Sequence, residues 1–228
     1  MFKKHIPNTI TCCNLISGCI ATYFAFQGDF RLALLFIVLG AVFDFFDGMV
    51  ARLLHVSSPI GKELDSLADD ITFGFAPSAI IFSYLSQFSI LHSQLMPFLA
   101  FILAAFSALR LAKFNLDERQ ALGFIGLPTP ANALFWGALI GGLHGNQIYF
   151  EGMEWCIIVG IFISSYLLIS EIPMFALKFK TWGWKGNEIK YIFLLTCIPM
   201  LLFLGIFGLA AVIAWYVILS AVNTYMLN

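Results

Sequence analysis

Eight apolar runs, separated by short stretches rich in Gly, Pro or charged residues, constrain the fold of this chain more than any other feature. A helix needs about 20 apolar residues to cross the hydrocarbon core of a bilayer. With 61% hydrophobic and 11% charged residues, the chain is not an ordinary soluble domain. The pattern predicts an all-α, polytopic membrane protein with helices near residues 9–27, 31–54, 65–88, 93–115, 130–148, 153–178, 188–206 and 208–227.

The N-terminus imitates a secretory signal, because Lys3 and Lys4 precede an apolar run that leads to Cys19. Asn14 interrupts that run, and many further apolar segments follow it. We therefore interpret the first run as a retained membrane helix rather than a cleaved signal.

Four aspartates stand out against the apolar background: Asp44 and Asp47 near the end of the second predicted helix, and Asp65 and Asp69 at the start of the third. At about 100° per residue, each pair shares one helical face. Each carboxylate inside a bilayer costs on the order of 3 kcal/mol, and like charges this close repel. The four acids therefore need a cation or must hold protons.

An all-oxygen cluster without His or Cys suits a hard divalent ion, Mg²⁺ or Mn²⁺, and argues against zinc. The alternative is a set of helix-capping acids or a proton relay. Capping requires one acid at a helix end and gives no reason for the small residues Gly48, Ala51 and Gly61 at their spacings. The sequence therefore predicts a metal site formed by the four aspartates.

The aspartates belong to a longer pattern, D-x2-D-G-x2-A-R-x8-G-x3-D-x3-D, which runs from Asp44 to Asp69 and is matched at every fixed position. This pattern resembles the signature of the CDP-alcohol phosphatidyltransferases. The resemblance implies an integral membrane enzyme that transfers a phosphatidyl or related group from a CDP-linked lipid to an alcohol and releases CMP. It also implies a homodimer and a six-helix catalytic core. We place that core at about 7–178 of a single domain, 1–228, with added C-terminal helices at about 188–227.

Phosphoryl transfer requires charge neutralisation, alignment of the nucleophile and a base for the incoming hydroxyl. Two ions about 4 Å apart, held by the four aspartates, would clamp the pyrophosphate of the donor. By the resemblance, Asp69 also takes the proton from the acceptor hydroxyl. Gly48, Ala51 and Gly61 are expected to leave room for the cytidine, and Arg52 to hold the nucleotide or a phosphate.

Thr11, Asn14 and Gly18 lie on one face of the first predicted helix. Small and polar residues on such a face either pack helices closely or hydrogen-bond a ligand. The family resemblance favours the ligand, so we predict that Thr11 and Asn14 line the CDP-lipid pocket.

Two further segments, Leu109–Asn115 and Phe124–Ala131, resemble the phosphatidylserine synthase branch of the family. That resemblance implies CDP-diacylglycerol as the donor and L-serine as the acceptor. The rival acceptors, glycerol 3-phosphate and an inositol phosphate, carry a dianionic phosphate that favours a cluster of cations. Apart from histidines, the chain between Asp69 and Lys178 offers only the bases Arg110, Lys113 and Arg119.

One inward arginine suits the single carboxylate of serine. We predict that Arg110 turns inward to hold that carboxylate, the alternative being that Arg110 snorkels to lipid phosphates. Asn115, or the carbonyls of residues 126–130, is predicted to receive the serine ammonium.

Two other classes of protein must be distinguished from the enzyme. A cation-coupled transporter would also bury acids, but it more often shows internal repeats and broken helices, and this sequence shows no repeat at a consistent period. A purely structural membrane protein has no use for the aspartates. We expect no nucleic-acid partner, and CMP release from a CDP-lipid by the purified protein would separate the three classes.

Two prolines predict local irregularity in the helices. Pro77 is expected to kink the third helix and to open the cavity beside it. Pro173 stands near the end of the sixth helix beside Glu171, which is expected to pair with a nearby base.

Basic residues are distributed asymmetrically between the two sides of the predicted helices. With the N-terminus in the cytoplasm, Arg31 alone falls outside. Eleven bases then fall inside: Lys3, Lys4, Arg52, Lys62, Arg110, Lys113, Arg119, Lys178, Lys180, Lys185 and Lys190. The asymmetry predicts a multi-pass inner-membrane protein, surrounded by membrane lipids, whose active site faces the cytoplasm.

This topology predicts that the 178–190 loop is cytoplasmic. In a variant whose five cysteines are replaced, Trp184→Cys is expected to react with a label from the cytoplasmic side of sealed vesicles. A matched Glu151→Cys, before the sixth helix, is expected to react from the opposite side. Labelling of Trp184→Cys only from outside would overturn both the topology and the side on which the pocket opens.

Overall fold

A computed structural model of the chain describes residues 5–88, 94–117, 124–175, 177, 183–184 and 186–227. It is built from α1 (His5–Phe26), α2 (Phe30–Leu53), α3 (Pro59–Asp69), α4 (Ala76–Ser86), α5 (Phe101–Leu116), α6 (Thr129–Gly145), α7 (Met153–Ile169), α8 (Glu188–Leu204) and α9 (Ile206–Leu227). A π-helical segment, Asp70–Phe75, joins α3 to α4, and a 3₁₀ segment, Met96–Ala100, leads into α5. The predicted all-α class is confirmed. In the described residues, strand is limited to an antiparallel pair, β1 (Phe124–Ile125) and β2 (Pro173–Met174).

The third predicted helix starts earlier than expected, at Pro59 rather than near residue 65. Ser58 caps it, because its hydroxyl oxygen accepts a hydrogen bond from the backbone N–H of Gly61 (3.1 Å). A proline in the first turn costs nothing, since that turn has no internal acceptor for its N–H. The cap therefore fixes the start of α3 more than one helical turn before Asp65.

The sixth predicted helix is shorter than expected, since α7 ends at Ile169 and not near residue 178. Ser170 is extended, and Pro173–Met174 forms β2. The predicted pairing of Glu171 is confirmed by an ion pair with Lys113 of α5 (Oε1–Nζ 3.5 Å). Much of the 178–190 loop lies outside the described residues.

The distortion predicted at Pro77 lies just before it, in the π segment Asp70–Phe75. Such segments interrupt α-helices and are frequent at functional sites. Thr72, within the segment, donates a hydrogen bond from its hydroxyl to the backbone oxygen of Asn14 in α1 (3.0 Å). The segment directly follows Asp69, so this bond joins α1 to the end of the aspartate-bearing helix.

Small residues let α1, α2 and the π segment pack closely. A Cβ atom added at Gly18 of α1 or at Gly40 of α2 would overlap Thr72. The core of the bundle contains large side chains that are almost fully buried, among them Phe30, Phe73 and Trp136. Close backbone approach of this kind is how membrane helices associate.

The bundle presents many large apolar side chains on its outside, for example Phe162, Leu202 and Phe203. Among the described residues, four stretches are long and apolar enough to cross a bilayer: His5–Phe26, Phe30–Leu53, Met96–Leu116 and Ile206–Thr224. The other predicted spans do not meet this criterion. For example, α7 is apolar but has 17 residues, fewer than the about 20 of a full span.

The last two helices form a hairpin rather than one broken helix. A single residue, Gly205, links α8 to α9 with φ 55°. Trp215 of α9 donates a hydrogen bond to the hydroxyl of Thr196 in α8 (2.9 Å). Helix α9 packs on α6 and on β2, so the hairpin is attached to the rest of the bundle through both.

Helix ends from distant parts of the chain meet at one end of the bundle. The start of α1 contacts the end of α2, the start of α3 contacts the end of α5, and the end of α5 contacts the end of α7. Predicted site residues lie at these ends, so the fold brings them together although they are far apart in sequence.

Candidate active site

Three of the predicted metal ligands converge at this end of the bundle. Asp44 and Asp47 lie one turn apart in α2, and Asp65 reaches them from α3. One carboxylate oxygen of each lies within 4.8 Å of the others. At an effective dielectric constant of about 20, two unit charges at such a distance repel by about 3.5 kcal/mol. A divalent cation relieves that repulsion, and an all-oxygen donor set fits Mg²⁺ or Mn²⁺.

Asp69 lies one turn after Asp65 but outside this group of three, which we call the carboxylate trio. It is 9% exposed, and its Oδ1 accepts a hydrogen bond from the side-chain amide of Asn14 (3.0 Å). It lines the same cavity as Asp44 and Asp65. The predicted set of four ligands thus divides into three carboxylates that converge and a fourth beside them with one oxygen already hydrogen-bonded.

Helix α1 contacts one aspartate of each pair. The hydroxyl of Thr11 donates to Oδ2 of Asp47 (2.6 Å), and Asn14 donates to Asp69. Both residues were predicted to line the CDP-lipid pocket. Thr11 lines a cavity, whereas Asn14 is 0% exposed and is held against protein atoms. Its side chain reaches a carboxylate and not a ligand, because the close packing of α1 on α2 and the π segment covers it.

A first cavity of about 240 Å³ opens beside the trio. It includes four of the residues predicted to bind CDP-lipid: Thr11, Gly48, Ala51 and Gly61. Two aspartates of the trio, Asp47 and Asp65, also line it. Polar groups from α1 and from the start of α3 complete its wall: Asn8, Ser57, Ser58 and Lys62.

The two glycines of this wall serve different purposes. A Cβ atom at Gly48 would meet nothing within 4 Å, so this position faces open space. A Cβ atom at Gly61 would lie 2.9 Å from Oγ of Ser58 and 3.0 Å from Oδ1 of Asn8. Gly48 therefore keeps the cavity open, whereas Gly61 lets the start of α3 pack against α1.

Arg52 does not have the predicted position, since it is exposed and lines neither of the cavities described in this subsection. One step of about 100° beyond Ala51 turns it away from the cavity wall. Lys62 supplies the cation of that wall among the described residues, and its Nζ donates to the backbone oxygen of Asn115 (2.9 Å). Sequence reasoning missed Lys62 because it occupies an unspecified position of the motif; its place directly after Gly61 was the available signal.

A second cavity of about 250 Å³ lies between the aspartates and the ends of α5 and α6. Its wall contains Asp44, Asp65, Ser66, Asp69, Arg110, Leu111, Phe114, Asn115, Pro128, Thr129 and Pro130. Asp65 lines both cavities, while Asp47 lines only the first and Asp44 only the second. The trio therefore lies at the boundary between the two cavities.

Arg110 turns inward to this second cavity and does not snorkel. Its side chain is 4% exposed, and its guanidinium carbon lies 5.3 Å from the centre of the Phe114 ring. Its Nε has no hydrogen-bond partner among the described residues. A buried guanidinium with an unused donor is suited to bind an anionic group of a ligand.

Asn115 also lines the second cavity, and it ties α5 to α3. Its side-chain amide donates to Oγ of Ser66 (2.7 Å), while Lys62 binds its backbone oxygen. Ser66 and Thr129 are cavity residues that sequence reasoning did not single out. Ser66 stands between the two aspartates of α3 and Thr129 between two prolines, so only the fold shows that both face the same space.

Comparison with known proteins identifies the family. Residues 4–163 match the family model described as CDP-alcohol phosphatidyltransferase. The chain belongs to this family. Among its relatives, the CDP-diacylglycerol–serine O-phosphatidyltransferase of Bacillus subtilis is 39% identical over 131 residues, which are 56% of this chain and 70% of the relative.

Two more distant relatives carry the same name. The Helicobacter pylori protein is 29% identical over 218 residues, covering 92% of this chain and 90% of the relative. The Methanocaldococcus jannaschii protein is 33% identical over 168 residues, covering 74% and 75%. Family membership and the long apolar helices make this CDP-alcohol phosphatidyltransferase a membrane enzyme, which excludes the transporter and the purely structural alternatives.

Filling the first cavity should separate ligand binding from folding. Gly48→Leu is expected to weaken CMP binding about tenfold or more, a loss of about 1.4 kcal/mol, because the new side chain occupies open space. Its unfolding temperature should match that of the wild type. Titration calorimetry and thermal unfolding in detergent measure the two effects.

Gly61→Ala is the matched control. Its added methyl group meets Ser58 and Asn8, so we expect a lower unfolding temperature. Wild-type CMP affinity in Gly48→Leu would show that the first cavity does not hold the nucleotide.

Proposed function

We propose that this enzyme transfers the phosphatidyl group of CDP-diacylglycerol to the hydroxyl of L-serine, giving phosphatidylserine and CMP, in phospholipid biosynthesis. The observation that carries the proposal is the position of the carboxylate trio between two cavities. Transfer between two substrates requires that donor and acceptor approach one reacting phosphorus from different directions. Two cavities that share Asp65 provide such an arrangement.

The first cavity is the proposed site of the CDP headgroup. Gly48 and Ala51 leave space next to Asp47, and Lys62 brings a positive charge to the wall. The hydroxyls of Ser57 and Ser58 add hydrogen-bonding groups. This mixture suits a ribose and phosphates, while the acyl chains of the donor remain in the membrane.

The second cavity is the proposed site of the acceptor. Arg110 is the cation in its wall, which suits one carboxylate better than a dianionic phosphate. Lys113 is engaged by Glu171 (3.5 Å) and by the backbone oxygen of Ile169 (3.2 Å), and Arg119 lies outside the described residues. The names of the relatives point to the same acceptor. Asn115 or the nearby backbone carbonyls would receive the serine ammonium.

The trio, with Asp69 beside it, would hold two divalent ions, Mg²⁺ or Mn²⁺. Bound there, the ions supply neutralisation of the charge on the donor phosphates. Their donors are carboxylate oxygens alone, which is the chemistry that these ions prefer. Asp44 and Asp47 are fixed in α2 and Asp65 in α3, so the site depends on α1, which packs on both helices.

Asp69 is the proposed general base. It lines the acceptor cavity, where its carboxylate takes the proton of the serine hydroxyl. The serine oxygen forms a bond to the lipid-linked phosphorus, and the bond from that phosphorus to the CMP oxygen breaks. CMP leaves as the anion, and Asp69 releases its proton to solvent.

The proposal includes the setting of the reaction. The active site faces the cytoplasm from the inner membrane, the enzyme is a homodimer, and residues 7–178 form the catalytic core of a single domain. Support for the sidedness comes from the basic residues counted above and from the gathering of both cavities at one end of the bundle.

Asp69→Asn is expected to lower turnover by about 100-fold to 10,000-fold, the usual contribution of a general base, with CDP-diacylglycerol binding largely intact. Asp44→Asn and Asp47→Asn are the controls, and they should weaken metal dependence and nucleotide binding together. Metal titrations of CMP release and of CDP-diacylglycerol binding measure both effects. A near-normal rate in Asp69→Asn would refute the assigned role.

Acceptor competition tests the proposed substrate. Purified enzyme supplied with CDP-diacylglycerol and labelled acceptors is expected to incorporate serine and neither glycerol 3-phosphate nor an inositol phosphate, because one buried arginine matches one carboxylate. Incorporation of glycerol 3-phosphate without serine would refute the acceptor and leave the family assignment intact.

A further inference from the structure

We infer that α1 carries two positioning residues with separate tasks: Asn14 orients Asp69 for proton transfer, and Thr11 orients Asp47 for metal binding. The inference rests on the proposed function and extends it to residues that do not touch the reacting atoms. It is carried by two hydrogen bonds, from Asn14 to Oδ1 of Asp69 (3.0 Å) and from Thr11 to Oδ2 of Asp47 (2.6 Å).

The orientation of the Asn14 amide is fixed by chemistry. An ionised carboxylate only accepts hydrogen bonds, so the nitrogen of Asn14, and not its oxygen, must face Asp69. The oxygen of that amide has no hydrogen-bond partner among the described residues. The Asn14 amide is fully buried, so its one hydrogen bond in the described residues is the bond that its nitrogen donates to Asp69.

The hydroxyl of Thr11 has one proton and two acceptors within reach. The backbone oxygen of Pro7 lies at 3.1 Å and the Asp47 carboxylate at 2.6 Å. Hydrogen bonds to ionised acceptors are shorter and stronger than those to neutral ones. The proton therefore goes to Asp47, and the bond limits the rotation of that carboxylate beside the trio.

The backbone of α1 is anchored where these contacts are made. Thr72 donates to the backbone oxygen of Asn14 (3.0 Å), and Gly18 and Gly40 permit the close approach of the helices. Asn14 thus has little freedom to follow a movement of Asp69. With Oδ1 of Asp69 engaged, Oδ2 is the oxygen that takes the proton from the acceptor.

A crossed experiment tests the two tasks. Asn14→Leu keeps the number and branching of the side-chain heavy atoms and removes the donor. It is expected to lower kcat about 10- to 100-fold, the usual effect of losing an orienting partner in a metal site. The KM of CDP-diacylglycerol should be unchanged, and Mn²⁺ affinity should fall by less than in Thr11→Val, because the carboxylate trio is intact. Thr11→Val is expected to weaken Mn²⁺ binding about tenfold or more. Mn²⁺ binding is measured by electron paramagnetic resonance with CMP present and no acceptor, so this readout does not need turnover.

Thr22→Val is the control, since Thr22 donates within α1 to the backbone oxygen of Gly18 (2.9 Å); it should change neither quantity. Asn14→Ala is measured beside Asn14→Leu in case one of them folds poorly, with the unfolding temperature recorded for every variant. In an Asp69→Asn background, Asn14→Leu should cause no further loss of kcat.

A purely structural role for α1 would lower the unfolding temperature and move kcat and Mn²⁺ affinity together in both variants, and that result would overturn the inference. Wild-type kcat in Asn14→Leu or Asn14→Ala would overturn the Asn14 assignment, and wild-type Mn²⁺ affinity in Thr11→Val the Thr11 assignment. Failure of the proposed function looks different, because the wild-type enzyme itself would then release no CMP in response to serine.

Discussion

Mutual repulsion of carboxylates that are partly removed from water is the constraint on which the rest of this structure depends. Three acids within 4.8 Å of one another cannot be left to an apolar bundle without a cation and without hydrogen bonds. The end of α2, the second half of α3 and one face of α1 all carry or stabilise these carboxylates. Thr11 and Asn14 each stabilise a carboxylate by donating a hydrogen bond, Thr11 to Asp47 of α2 and Asn14 to Asp69 of α3.

The convergence of the aspartates could be predicted because it follows from spacing alone. Residues i and i+3 or i+4 must share a helical face, and two acidic faces in an apolar chain have no stable place except against each other. The inward position of Arg110 was predicted for a different reason, because one arginine suits the single carboxylate of serine, and Arg110 does line the cavity that Asp44, Asp65 and Asp69 also line. These predictions needed no knowledge of how the helices are arranged.

Other features of the site could not be predicted, because helical periodicity tells which residues share a face but not what lies opposite. Asn14 was on the predicted polar face, yet only the packing of α1 shows that it meets Asp69 and not a ligand. Arg52 matched the motif and still turns away, while Lys62, at an unspecified position, reaches the cavity wall. The early start of α3 at Pro59 could not be predicted from the apolar pattern, because that pattern does not reveal the cap at Ser58.

The contact between α1 and the π segment contributes both to the stability of the bundle and to the proposed chemistry. Thr72 binds the backbone of Asn14, and Asn14 binds Asp69 three residues before Thr72 in the chain. Both bonds come from one segment, Asp69 to Thr72, and both reach Asn14. Rotation of the Asp69 carboxylate would therefore break its bond to Asn14 unless α1 or this segment moved with it. Because Gly18 and Gly40 set the distance between these backbones, a larger side chain at either position would act on the proposed base without touching it. The close packing that holds the bundle together in lipid therefore also fixes the direction of the group that is proposed to receive the proton.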